Sequence, residues 1–157
     1  MKRALGIVIA VAFCELAGAV GSIFTTPAIP VWYAGLAKPS FNPPNWVFAP
    51  VWTILYALMG IAAYLVYEKG PRTTPVRRAL AVFGVQLALN TLWSIVFFGA
   101  RSITGGIVVI LLLWASILAS IRLFARVSRP AAVLLVPYIL WVSFATVLNI
   151  TLYRLNA

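Results

Sequence analysis

Residues 79–100 read ALAVFGVQLALNTLWSIVFFGA, twenty-two positions without a charged side chain. A helix of about 20 residues crosses the roughly 30 Å of hydrocarbon in a bilayer, so this stretch is long enough to span one. It also carries Gln86, Asn90, Trp93 and Phe97 at i, i+4, i+7 and i+11, one polar-aromatic stripe along a helix. Downstream, residues 102–121 and 130–153 are equally free of charge. Upstream, residues 40–67 form another uncharged stretch, whose prolines delay the helical start to about Trp46. The first run, from about Ala4 to Phe24, is interrupted only by Glu15. The sequence therefore predicts an all-α integral membrane protein, a bundle of five transmembrane helices over about 4–25, 46–67, 78–99, 103–124 and 131–154.

Composition agrees. The 157 residues are 64% hydrophobic and 9% charged, with a mean hydropathy of +1.05. A soluble domain carries about a quarter charged residues, and a disordered chain is poor in apolar ones. One membrane domain over 1–157 accounts for the length. Lys2-Arg3 followed by an apolar run and Ala17-Gly18-Ala19 imitates a cleaved signal peptide. Glu15 breaks the apolar region and hydrophobic sequence continues to Phe24, so the first helix is expected to be retained.

The net charge of +10 raises the question of nucleic acid, but the cations sit singly or in short groups between apolar runs. They read as topology signals and contacts to anionic lipid, and no nucleic-acid partner is expected. Nine of the twelve (Lys2, Arg3, Lys69, Arg72, Arg77, Arg78, Arg122, Arg126, Arg129) fall on the N-terminal side of the spans. Lys38, Arg101 and Arg154 fall on the other. In a plasma membrane this places the N-terminus in the cytoplasm. No internal repeat is visible, which weighs against an inverted-repeat transporter.

The second span carries Trp52, Tyr56, Met59 and Ala63 at helical spacing, and the fifth carries Tyr138, Trp141, Ala145 and Asn149. Such stripes read either as packing with interhelical hydrogen bonds or as the wall of an internal pocket. On the opposite face of the third span, Ala81, Gly84 and Ala88 form a small-residue seam, suited to close packing within the monomer or to a homodimer contact. Glu15, the only acid within a span, could bind a cation, carry a proton or stay neutral in a helix contact. With no His and only Cys14, disulfide frameworks, metal sites and conventional hydrolytic triads drop out, and no cofactor is expected. Six of the ten prolines (Pro27, Pro30, Pro39, Pro43, Pro44, Pro50) fall between residues 27 and 50 among Trp32, Tyr33, Phe41 and Trp46. So proline-rich a segment is expected to be non-helical, and residues 27–45 to form an ordered lid over the pocket.

That block, WYAGLAKPSFNPPNWVFAPVW at residues 32–52, resembles the signature of the translocator protein family, also called the tryptophan-rich sensory protein, TspO or peripheral benzodiazepine receptor family. Gln86 with Asn90, Trp93 and Phe97-Phe98-Gly99 fits the same pattern, as do Pro137-Tyr138, Trp141, Ala145 and Leu148-Asn149. The resemblance covers all five spans. It implies a five-helix bundle, usually dimeric, whose pocket opens towards the first loop. The ligands it implies are tetrapyrroles such as protoporphyrin IX and haem, with sterols in animal members. Implied roles are transport or stress sensing, with light-dependent porphyrin breakdown the enzymatic alternative, for which Trp52 and Trp141 are the catalytic candidates. A small proton-coupled exporter using Glu15 is a further alternative. The pocket positions carried over are Tyr33, Trp46, Trp52, Asn90, Trp93, Tyr138 and Trp141. The sterol-recognition pattern of animal members fails at the end of the fifth span, where Tyr153 and Arg154 are adjacent and nothing basic follows. Sterol transport is therefore not implied.

Overall fold

The computed structural model describes residues 2–157. Its helices are α1 (Lys2–Ala28), α2 (Asn45–Tyr67), α3 (Thr74–Ser94), α4 (Ile103–Val127), α5 (Arg129–Leu134) and α6 (Val136–Asn156). With α3 running on through a π turn at Ile95–Gly99, and α5 and α6 forming one crossing, five segments are long and apolar enough to span a membrane. Among the described residues there is no strand.

The spans match the charge-free stretches, and the departures from the expected bounds have local causes. Proline is the reason the fifth span is two helices. Pro137 has no N–H to offer the Val133 carbonyl and its ring crowds that group, so the chain turns once at Leu135 before α6 begins. The expectation that residues 27–50 avoid helix is corrected at both ends. Pro27 lies in the last turn of α1 and Pro50 inside α2, each removing a single rung. In α2 the group left without its intrahelical partner is the Trp46 carbonyl, in the first turn. The chain leaving α1 stays coiled, with Trp32 N donating to Ala28 O at 3.0 Å, and then closes a 3-10 turn at Tyr33–Gly35. Between α3 and α4 the reversal is made at Arg101, whose φ of 53° is in the left-handed region.

The crossings form a ring. α1 packs on α2 and α3, α3 on α4, α4 on α6, and α5 closes the ring against α2. Met59, Phe83, Leu87, Ile110, Leu113, Ile117 and Phe124 fill its centre. A second cluster of Tyr33, Phe97, Phe98, Leu148 and Leu152 closes the end where the first loop lies.

Glycine fixes the α1–α2 approach. A Cβ on Gly60 would sit 2.5 Å from the Val11 Cα, so only glycine permits this contact between backbones. Gly6 likewise yields its space to the Tyr64 ring, and Gly18 to the ring of Tyr56. Towards the first loop no such contact continues, and the two helices separate. Across that zipped end, Arg3 and Glu68 pair at 2.9 Å on the surface, a contact of small energetic weight.

Candidate functional site

The gap that opens from Glu15 and Gly18 towards the first loop is a cavity of about 480 Å³. Four crossings wall it. α1 contributes the row Glu15, Gly18, Ala19, Ser22, Thr25 and Thr26, at spacings of three and four that keep one face inward. α2 adds Phe48, Trp52 and Tyr56, α3 adds Asn90 and Trp93 with Phe97 and Phe98 from the π turn, and α6 adds Trp141, Ala145, Leu148 and Asn149. α4 takes no part. The exposed members of the wall lie on α1 (Ala19, Ser22, Thr26) and α2 (Asn45, Ala49, Thr53), so the mouth is between these two helices.

The three stripes anticipated from sequence do converge, but at different depths. Trp52, Asn90, Trp93 and Trp141 face the cavity, and Tyr33 reaches it from the first loop. Tyr138 does not. It is fully buried behind the wall, bonded to Asn90 and packed edge-on against Trp52. Trp46 is also placed elsewhere, 75% exposed in the first turn of α2, off the row formed by Asn45, Phe48, Trp52 and Tyr56. An indole there suits the membrane interface.

A chain of hydrogen bonds fixes the wall from behind. Tyr56 Oη donates to Asn90 Oδ1 at 2.6 Å, Asn90 Nδ2 to Tyr138 Oη at 2.6 Å, and Tyr138 Oη to Gln86 Oε1 at 2.9 Å. Gln86 Nε2 then points to Met59 Sδ at 3.7 Å. The chain joins α2, α3 and α6, and every amide in it is satisfied. Costly polar groups at membrane depth thereby act as a clamp. Trp93 Nε1 donates to Asn149 Oδ1 at 3.2 Å, which fixes that indole, and Phe97 stacks on it at 5.1 Å and 14°. The two residues are four apart, the spacing that puts side chains on one helix face. Trp52 tilts over Tyr56 at 5.7 Å, and Phe48 meets Trp141 edge-on at 6.0 Å. Trp141 Nε1 is buried without a hydrogen-bond partner, a donor held in reserve beside the cavity.

The first loop lies against the same end. Tyr33 is buried, and its hydroxyl donates to Asn42 Oδ1 at 2.7 Å. Burial pushes that phenol up to about 12, and the Asn42 bond partly offsets the rise. Trp32 packs edge-on against Phe97 at 5.4 Å, and Phe41 against Phe144 at 6.3 Å. The end of α6 grips the loop through paired bonds, Ala37 N to Asn156 Oδ1 and Asn156 Nδ2 to Ala37 O, both 2.9 Å.

Aromatic walls from α2, α3 and α6 meet a first loop anchored by Tyr33, and these side chains come from the signature block and the later motifs; the mouth, expected towards the first loop, lies between α1 and α2. A family model for the TspO/MBR family matches residues 10–154. The chain belongs to the TspO/MBR family. It is similar to the tryptophan-rich protein TspO of Chlorobaculum tepidum, 45% identical over 99% of this chain and 98% of that one. It is also similar to the human translocator protein, 44% identical over 80% of this chain and 75% of the relative. The tryptophan-rich sensory protein of Cereibacter sphaeroides is 40% identical over 92% and 90%. Like other TspO/MBR members it is an integral, multi-pass membrane protein, with five apolar crossings.

Several wall residues of this TspO/MBR chain escaped the sequence reading: Ser22, Thr25 and Thr26 of α1, Ile29 just after it, Phe48 of α2, and Leu148 and Leu152 of α6. A signal for the first group existed. Glu15, Gly18, Ser22 and Thr25 form a helical row of small and polar residues in an otherwise bulky apolar span.

Proposed function

We propose that the protein binds tetrapyrroles such as protoporphyrin IX and haem, and similar flat hydrophobic ligands, in the cavity between α1 and α2, in transport or stress sensing. One observation carries this reading. A cavity of about 480 Å³ is faced by Tyr33, Phe48, Trp52, Trp93, Phe97 and Trp141, aromatic surfaces from the first loop, α2, α3 and α6 opposite the small and polar wall of α1. A planar ring system gains most from such walls, through area burial and offset or edge-on contacts. Tyr33, Trp52, Asn90, Trp93 and Trp141 act directly, Tyr138 acts by holding Asn90, and Trp46 anchors the chain at the interface beside the mouth. The protein sits in the plasma membrane with its N-terminus in the cytoplasm, where nine of its twelve cations then lie. It works as a homodimer through Ala81, Gly84 and Ala88, which are exposed on α3, and nothing lies within 4 Å of a Cβ built on Gly84.

Titration of purified protein with protoporphyrin IX tests the binding reading, since porphyrin bound between these indoles quenches their fluorescence. Saturable quenching that weakens in both Trp52→Ala and Trp141→Ala is the expected result, and undiminished affinity in both removes the site from this cavity. Illumination separates binding from turnover. A binding protein loses porphyrin absorbance at the same rate with Trp52→Phe as with the unaltered chain, whereas a degrading enzyme would lose its product with that change.

A further inference from the structure

We infer that the cavity takes a second class of ligand, organic cations with a flat aromatic body, and that Glu15 is the residue that selects them. Glu15 stands at the middle of α1, about 20 Å from either end of the helix at 1.5 Å per residue. An ionisable group so deep in a span is costly unless it serves a partner. Among the described residues it has none, for Glu15 makes no hydrogen bond and no ion pair, while the other acid, Glu68, is held by Arg3. A helix contact would have given it a donor, and the structure offers only the cavity.

The charge on the wall is the reverse of the charge on the chain. The protein carries +10, yet no Lys or Arg lines the cavity and Glu15 is its one charged group. Lys38, the cation of the first loop, is turned to that loop, with Nζ bonded to the carbonyls of Ala34 and Leu36 and set 5.0 Å over the Tyr33 ring.

The hydroxyls of the wall complete the pattern. Five of its seven have already donated their proton within the protein. Ser22 donates to Ala19 O, Thr25 to Gly21 O, Thr53 to Ala49 O, Tyr33 to Asn42 and Tyr56 to Asn90. What these oxygens have left for a ligand is acceptor capacity. Tyr56, whose ring packs over Gly18 less than one turn from Glu15, adds an acceptor on the same cavity wall. A ligand that brings a protonated nitrogen meets a charge-assisted bond to Glu15 and acceptors around it, with Trp52 and Trp93 as surfaces for its rings. A carboxylated ligand meets no cation on this wall, so its acid groups must stay at the mouth. The cation class therefore stands independently of the tetrapyrrole reading.

The test uses the full-length protein in a neutral maltoside detergent and two probes of nearly equal shape. Proflavine is a flat tricyclic cation at neutral pH, and acridine is its uncharged parent. Affinities are read by quenching of tryptophan fluorescence. The unaltered protein should bind proflavine about tenfold more tightly than acridine, the effect of one hydrogen bond to a charged group. In Glu15→Gln, which keeps the shape and removes the charge, that ratio should fall to near one. In Glu15→Asp, which keeps the charge one methylene farther back, it should stay well above one. Equal affinities in the unaltered protein, no binding of proflavine at all, or a ratio that survives Glu15→Gln would each overturn the assignment.

Discussion

The α1–α2 pair is closed along one half and open along the other, and the contrast shows how one pair of helices both holds the bundle and leaves room for a ligand. In the closed half, Gly6, Gly18 and Gly60 remove side chains at the contact, and the Val11 backbone lies directly on α2. In the open half, the facing positions carry Ser22, Thr25 and Thr26 against Phe48, Ala49 and Trp52, which line a cavity and do not interlock. Close packing is the main source of helix association in lipid, where burial from water supplies little. The closed half therefore carries the stability, and the open half can be spent on binding.

Breaking the closed half should have the largest effect. Gly60→Leu drives a side chain into the Val11 backbone, which cannot move as a flexible side chain could, and overpacking of this kind costs about 1–3 kcal/mol or more. The expected outcome is a marked fall in the thermal unfolding temperature in detergent, together with loss of protoporphyrin binding. A variant of normal stability would show that the contact is not the hinge of the pair.

Changes in the open half should separate binding from stability. Trp52→Ala and Trp141→Ala each remove a large wall, and each should weaken protoporphyrin IX binding about tenfold or more, in line with the cost of losing a buried aromatic anchor. Trp52 packs on the buried Tyr56 and Tyr138 rings of the hydrogen-bonded chain, whereas Trp141 packs on the half-buried Phe48 and Phe144, so loss of Trp52 should lower the unfolding temperature more than loss of Trp141. Equal destabilisation by Gly60→Leu and Trp141→Ala would erase the distinction between the two halves.

The outward face of α3 offers a third, smaller effect. Gly84 is exposed and a side chain there meets nothing within the monomer, so Gly84→Leu should leave stability within about 0.5 kcal/mol. If two copies meet on this face, the same change separates them. Light scattering in mild detergent should then find a monomer that still binds porphyrin, and a persistent dimer would move the interface to another face.

The two halves were unequally legible in the sequence. Crossings were read directly, because charge is excluded from hydrocarbon and every span is bounded by Lys, Arg or a proline-rich turn. The inward face of α3 was legible as well, since Gln86 and Asn90 cannot face lipid without a partner. Depth was not legible. A helical wheel places Tyr138 and Trp141 on one side of the fifth span, but only the packed bundle shows Tyr138 behind Asn90 and Trp141 at the surface of the cavity. The π turn after Ser94 and the break at Leu135 also rotate the helical residues beyond them, and periodicity alone cannot register such shifts. Trp46 belonged to a motif dense in aromatic residues, and density said nothing of which ring faces inward.

The first loop decides whether the open half is covered before a ligand arrives, and its predicted effects are the smallest. Paired bonds between Ala37 and Asn156, with the Tyr33–Asn42 bond, tie residues 33–42 to the end of the bundle. Prolines in this stretch restrict the chain and lower the entropy lost on ordering. A preformed lid should therefore show slow amide exchange over residues 31–42 in the ligand-free protein, slowed further by porphyrin. Asn156→Ala removes both bonds to Ala37, and exchange of the Ala37 amide should quicken about fivefold, as expected for one net hydrogen bond of about 1 kcal/mol. Tyr33 supplies a pH test of the same contact. Its folded value is raised, so the buried neutral phenol supports the loop fully below its ordinary value of 10.0, and that support is lost as pH climbs through about 12. Exchange at residues 31–42 measured at matched intrinsic rates should stay protected up to about pH 10 and lose protection above it, sooner than in α4, which has no such group in its core. Fast exchange throughout the loop at neutral pH would instead mean that the open half is uncovered until the ligand itself orders the chain.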